Sequence, residues 1–140
     1  MPMLLQGSCR CGAVRFSVES HTPVPFMRCY CSICRKTGGG GGYAINLGGI
    51  AETLKVEGRE ALGTYRAEIT RDGATETSAG ERNFCTRCGT ALWVFDPRWP
   101  EHIHPFASAI DTPLPPAPAR VHIMRDDKPA WVPLPEGPGE

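Results

Sequence analysis

Residues 12–20, "GAVRFSVES", alternate apolar and polar positions. Val14, Phe16 and Val18 share one face of a strand, with Arg15, Ser17 and Glu19 on the other. "TPVP", residues 22–25, is expected to interrupt that pattern. "YAINL" at 43–47 predicts a second strand. "TLKVEG" at 53–58 and "GTYRAEIT" at 63–70 predict two more, and "RDGATETSAG" at 71–80 a turn with an exposed polar stretch. "ERNFCTRCGTALWVFDP" predicts a tight turn followed by a strand carrying Leu92, Trp93, Val94 and Phe95. "EHIHPFASAID" alternates as well, and Pro105 predicts an edge strand or a bulge there. "TPLPPAPA" reads as an extended connector, "RVHIM" as a last short strand, and "KPAWVPLPEGPGE" as an irregular tail with Trp131 as its anchor. The pattern is that of a mainly β domain of short antiparallel strands with little helix. One unit is expected over residues 1–132, with a Pro/Gly-rich tail at 133–140.

Composition supports that picture. Sixteen glycines and 14 prolines in 140 residues leave little room for long helices. Hydrophobic residues make up 41%, too many for a disordered chain. Lys plus Arg and Asp plus Glu are 15 each, so no basic excess points to nucleic acid. No run of 18 apolar residues and no charged-then-apolar leader occurs, so a cytoplasmic protein without a membrane span is expected. In a reducing compartment cysteines serve metal or catalysis more often than disulfides.

The seven cysteines are where chemistry enters. They form Cys9-x-Cys11, Cys29-x-Cys31-x-x-Cys34 and Cys85-x-x-Cys88-Gly89. A tight turn between two cysteines aims both sulfurs at one metal, and two such pairs complete a tetrahedral site. Seven divides into four, which closes a structural zinc site, and three, which leaves one position open. The simplest division joins Cys9 and Cys11 to Cys85 and Cys88. Spacing also permits two cysteines of the triplet to join either pair. One zinc with idle cysteines, redox disulfides and an iron–sulfur cluster are the competing readings.

"GSCRCGAVRFSVE", "CYCSICRKTGG", "RNFCTRCGTALW" and "VHIMRDDKPAW" stand in an order that resembles the family of glutathione-dependent formaldehyde-activating enzymes and centromere protein V. The likeness runs over roughly residues 6–132. It implies a zinc-stabilised β-tent fold and two zinc ions per chain: a structural zinc on Cys9, Cys11, Cys85 and Cys88, and a catalytic-type zinc on Cys29, Cys31 and Cys34. It also implies a carbon–sulfur lyase acting on a glutathione–formaldehyde adduct. Departures from the family pattern are Tyr30 where His is common, the bare run Gly38 to Gly42, and "SAID" at 108–111.

A zinc held by three thiolates is a soft, weak Lewis acid, better suited to accept a sulfur ligand than to acidify water. Seven thiolates with two zinc ions bring the protein to about −3. Arg35 and Lys36 follow the triplet and could offset that charge or bind a ligand's carboxylates, though a solvated basic pair is equally ordinary. Backbone N–H groups at Gly38 and Gly39 could approach the same ligand. His102 and His104 share one strand face, His21 reads as surface and His122 as a packing or hydrogen-bonding position. Trp93, Trp99 and Trp131 read as packing residues, and Asp111 as a turn cap. Two other functions fit the same residues: a non-catalytic protein that binds glutathione or another small thiol, and a structural zinc module. The oligomeric state is not readable.

Overall fold

The computed structural model describes residues 1–38, 40–117 and 121–133, without the side chains of Phe26, Val121 and His122. The chain runs β1 (Met3–Ser8), β2 (Arg15–Ser20), β3 (Thr22–Cys29), α1 (Ser32–Gly38), β4 (Ala44–Ile50), β5 (Lys55–Glu57), β6 (Leu62–Tyr65) and β7 (Glu68–Arg71). It continues with β8 (Ala74–Thr77), β9 (Glu81–Cys85), β10 (Ala91–Phe95), β11 (His102–Pro105) and β12 (Val121–Ile123). Three strands form one sheet in the order β1-β2-β5. Seven form a second, β12-β3-β4-β11-β10-β9-β6, and β7 with β8 stand apart as a hairpin. Pairing is antiparallel except β12 on β3. The protein is mainly β. No helix among the described residues is long and apolar enough to cross a membrane.

The alternation of β2 does what the sequence predicts. Val14, Phe16 and Val18 are buried with Leu5, Leu47, Leu92, Trp93 and Ile103 in the main core. Phe16 meets Trp93 edge to face, centroids 5.0 Å apart. Gly58 closes the β5–β6 turn at φ +84, and a Cβ there would stand 1.8 Å from the Ala13 carbonyl oxygen. Only glycine satisfies both demands.

Several expectations are corrected. "TPVP" does not interrupt the chain: it lies inside β3. The register against β4 jumps from Thr22↔Gly48 to Met27↔Asn46, so four residues of β3 stand between the pairs against one, Leu47, on β4. The prolines occupy that irregularity, where no ladder N–H is demanded of them. "GTYRAEIT" is two strands. β6 pairs with β9 up to Tyr65↔Arg82, Ala67 is buried, and β7 then pairs with β8. Asp72 and Gly73 both take positive φ at the tip, the combination that a two-residue hairpin turn requires. The polar "ATET" is therefore a strand. β11 is not an edge strand: it lies between β4 and β10, with Pro105 as its last residue opposite Trp93.

Trp93 is buried, but Trp99 and Trp131 are 55% and 68% exposed. Val132 and the edge of the Trp131 ring both lie against Gly42, where a Cβ would stand 2.2 Å from Val132 Cγ2 and 3.2 Å from the Trp131 ring, and Val132 is the one that is buried. Asp111 accepts a 2.6 Å hydrogen bond from Ser8 Oγ, which ties the connector to β1 instead of capping its own turn. The sequence pattern missed α1. Cys31 stands at its N-terminal boundary, and the Cys34 N–H donates to Cys31 Sγ at 3.2 Å. That sulfur does the work of a capping oxygen.

Candidate metal centres and the adjoining cavity

Two turns meet to form the first cluster. After β1, Gly12 N–H donates to the Cys9 carbonyl at 3.1 Å, and Val14 N–H donates to Cys9 Sγ at 3.2 Å. After β9, Gly89 N–H donates to the Cys85 carbonyl at 2.8 Å, and Arg87 N–H reaches Cys85 Sγ at 3.4 Å. Both loops thus curl their amides toward a sulfur. Gly12 and Gly89 take positive φ at the two curls. The sulfurs of Cys9, Cys11, Cys85 and Cys88 all lie within 4.8 Å of one another. Cys9 to Cys11 is 3.6 Å and Cys11 to Cys85 is 3.7 Å. Four sulfurs at about 2.3 Å from a tetrahedral zinc would sit about 3.8 Å apart. A disulfide would need about 2.05 Å. The donor set fits zinc.

The second cluster is local. The sulfurs of Cys29, at the end of β3, Cys31 and Cys34 also lie within 4.8 Å of one another. Cys29 and Cys34 are buried with Ala44 and Phe106, and Cys31 is partly exposed. Three soft donors converging from one strand end and one helical turn fit zinc with a place left for a further ligand.

The protons are shared unevenly in each cluster. Hydrogen bonds from the Cys29 and Cys34 thiols, helped by the Arg82 charge, bring Cys31 down to about 2. Cys29 is pushed up, because the Cys31 and Cys34 sulfurs are its neighbours and burial adds to their effect. Cys88 is lowered to about 5 by the Thr90 hydroxyl and backbone. Cys11 rises to about 11: its Ala13 backbone hydrogen bond pulls down, but burial and the three neighbouring sulfurs outweigh it. Burial raises Cys9, but hydrogen bonds from the Val14 N–H and the Cys11 and Cys85 thiols outweigh it, so Cys9 is lowered along with Cys88 while Cys11 is raised; in the triplet Cys31 alone is lowered and Cys29 and Cys34 are raised. A divalent cation removes that conflict, since ligating cysteines must be deprotonated.

Sequence reading missed Arg82. From β9 its Nη2 donates to Cys34 Sγ at 3.4 Å and its Nη1 to Thr37 Oγ1 at 3.4 Å. Among the described residues it forms no ion pair. Arg82 and Phe84 lie on the opposite pleat of β9 from Cys85, so one strand serves both centres. Period-two alternation counted back from Cys85 was the available signal. Arg82 also lines a cavity of about 370 Å³ with Thr37, Tyr65, Phe84, Ala91 and Phe106. Phe106 packs in the same cluster as Cys29 and Cys34, which places the cavity beside the triplet.

The other candidates lie around these centres. Arg35 is half-buried, with Nε lacking a partner among the described residues, and Lys36 is exposed. Neither lines the cavity. Gly38 ends α1, and a Cβ on it would meet Ala91 Cβ at 3.4 Å, so it borders the cavity wall. Gly39 lies outside the described residues, as does the side chain of His122. Tyr30 is fully buried, its ring 5.5 Å from that of Tyr43, so it faces the core. His21, His102 and His104 are exposed and join neither cluster. His104 Nδ1 sits 3.3 Å from the Leu47 carbonyl.

Comparison with known proteins gives three findings. Residues 4–126 match the model of a family described as glutathione-dependent formaldehyde-activating enzyme. A Halomonas elongata protein, provisionally named a glutathione-dependent formaldehyde-activating enzyme, is 68% identical over 130 residues, 93% of this chain and 80% of the relative. A crystal structure of a Rhodobacter sphaeroides protein superposes with a TM-score of 0.60 at 27% identity, covering 79% of this chain and 91% of that one.

Proposed function

We infer the function from the premise that the chain belongs to the glutathione-dependent formaldehyde-activating enzyme family. The reading is a zinc-dependent carbon–sulfur lyase that makes and breaks a glutathione–aldehyde adduct at Cys29, Cys31 and Cys34. The observation that carries it is the triplet's position: three converging sulfurs beside a cavity, with the Arg82 guanidinium, which forms no ion pair among the described residues, touching both. Zinc bound there supplies a soft Lewis acid that favours the thiolate form of an added sulfur ligand. In the forward direction the glutathione sulfur bonds to the carbonyl carbon. The carbonyl π pair moves to oxygen, and the proton lost from sulfur ends there. Arg82, already 3.4 Å from Cys34 Sγ, is placed to donate to that oxygen as charge develops on it. Phe84 and Phe106 keep bulk water from that side. Cys9, Cys11, Cys85 and Cys88 would hold a structural zinc, where the β1–β2 turn meets the β9–β10 turn.

The unit is read as residues 1–132, because Val132 is buried against Gly42 and 133–140 follow it. Thiol spacing without a disulfide fits a reducing cytoplasm. The test is formaldehyde exchange with glutathione, followed by NMR on protein carrying two zinc per chain. Exchange above the uncatalysed rate, lost in Cys31→Ser, is expected. Exchange at the uncatalysed rate refutes the activity, and saturable glutathione binding in that case would leave a thiol-binding protein.

A further inference from the structure

Resting on that reading, we propose that the site is shaped for glutathione adducts of apolar aldehydes larger than formaldehyde, such as aryl or medium-chain alkyl aldehydes. Formaldehyde adds one carbon and one oxygen to the sulfur and needs almost no room of its own. The cavity beside the triplet holds about 370 Å³, the size of a small-molecule site.

Its walls exclude the alternative that the peptide part of glutathione fills it. That peptide carries two carboxylates and an ammonium group. Arg82 is the cavity's charged side chain, and after its contacts to Cys34 and Thr37 it has N–H groups left for one anionic oxygen, not for two carboxylates. No carboxylate lines the cavity to receive an ammonium. The Thr37 and Asn83 side chains have partners as well. Thr37 Oγ1 donates to the Ile33 carbonyl, while Asn83 Oδ1 accepts from Thr64 and Asn83 Nδ2 donates to the Glu81 carbonyl. Burying an unpaired charge there is costly, whereas an apolar group would meet Phe84, Phe106, Ala91 and the Tyr65 ring. The mixed-charge cleft of Arg15, Lys55, Glu57 and Asp111 shares no residue with this cavity and is the more polar surface.

The test uses two thioethers that cannot turn over, S-methylglutathione and S-benzylglutathione, titrated into the zinc-loaded protein by calorimetry. The benzyl compound is expected to bind at least about tenfold more tightly, since a phenyl ring leaves water. Equal or weaker binding overturns the proposal. Tyr65→Ala removes an aromatic wall at an exposed position, and Ala91→Leu fills the cavity. Each is expected to bring the ratio toward one with zinc content unchanged. A ratio that stays high in both variants overturns the proposal too, because the ring then binds elsewhere. These outcomes are independent of the exchange assay: formaldehyde exchange with no benzyl preference fails this proposal alone, and a benzyl preference without exchange fails the catalytic reading alone.

Discussion

Replacing Arg82 with Met keeps an unbranched apolar stem and removes the guanidinium with its charge. The loss is one charge-assisted contact to Cys34 Sγ at 3.4 Å and one to Thr37 Oγ1 at 3.4 Å. Two unit charges 4 Å apart interact by about 4 kcal/mol at the effective dielectric near a protein surface. Arg82 is half-buried, so solvent takes part of that. A hydrogen bond to a charged group contributes about 1.5–3 kcal/mol net. At 1.4 kcal/mol per decade, zinc at the triplet should bind about 10- to 100-fold more weakly. Groups just outside a metal's ligands commonly matter by this amount. The assay is competition with a chromophoric chelator on fully loaded protein, in which the two zinc ions titrate separately. The four-cysteine site is the internal control and should be unchanged. Arg82→Lys should fall between, because it keeps the charge but not the fork. The reasoning is refuted if the triplet's affinity is unchanged, or if both sites weaken together.

Cys85→Ser should destabilise the whole domain and lower its thermal midpoint sharply, because zinc affinity there is folding energy. Cys31→Ser should lose one zinc and leave the melting midpoint close to wild type, and equal unfolding by both variants would mean that the triplet is structural. Gly58→Ala should cost more than about 2 kcal/mol in denaturant titration, from the left-handed φ of +84 and the contact with the Ala13 oxygen. Phe16→Ala should cost about 3–5 kcal/mol by opening the core against Trp93, and a loss under about 1 kcal/mol would show that the core collapses into the space.

Strands were legible where one face is buried, as at Val14, Phe16 and Val18, because a period of two then survives in the sequence. They were not legible where both faces meet solvent, as in β8, whose residues are all exposed. There only the Asp72–Gly73 turn marks the pairing. The helix α1 was hidden because it is a short turn started by a sulfur, while the glycines after it read as pure loop. Trp131 lies with its ring edge over Gly42 yet stays largely exposed, and the sequence did not show that its neighbour Val132 is the residue buried there.

Residue type and spacing alone marked seven cysteines in three tight groups as able to hold a soft metal, since one or two intervening residues leave neighbouring sulfurs few directions to point. They left open which groups meet. That is a long-range matter, decided when the β1–β2 turn docks against the β9–β10 turn and puts Cys11 3.7 Å from Cys85, 74 positions away. Tertiary structure likewise decided the partner of Cys34. Arg35 is adjacent in sequence, but Arg82, 48 positions on, makes the contact, because β9 carries it across on the pleat opposite Cys85. The cavity beside the triplet has no sequence signature, because its walls come from β6, α1, β9, Gly89 in the β9–β10 turn, β10 and the residue after β11.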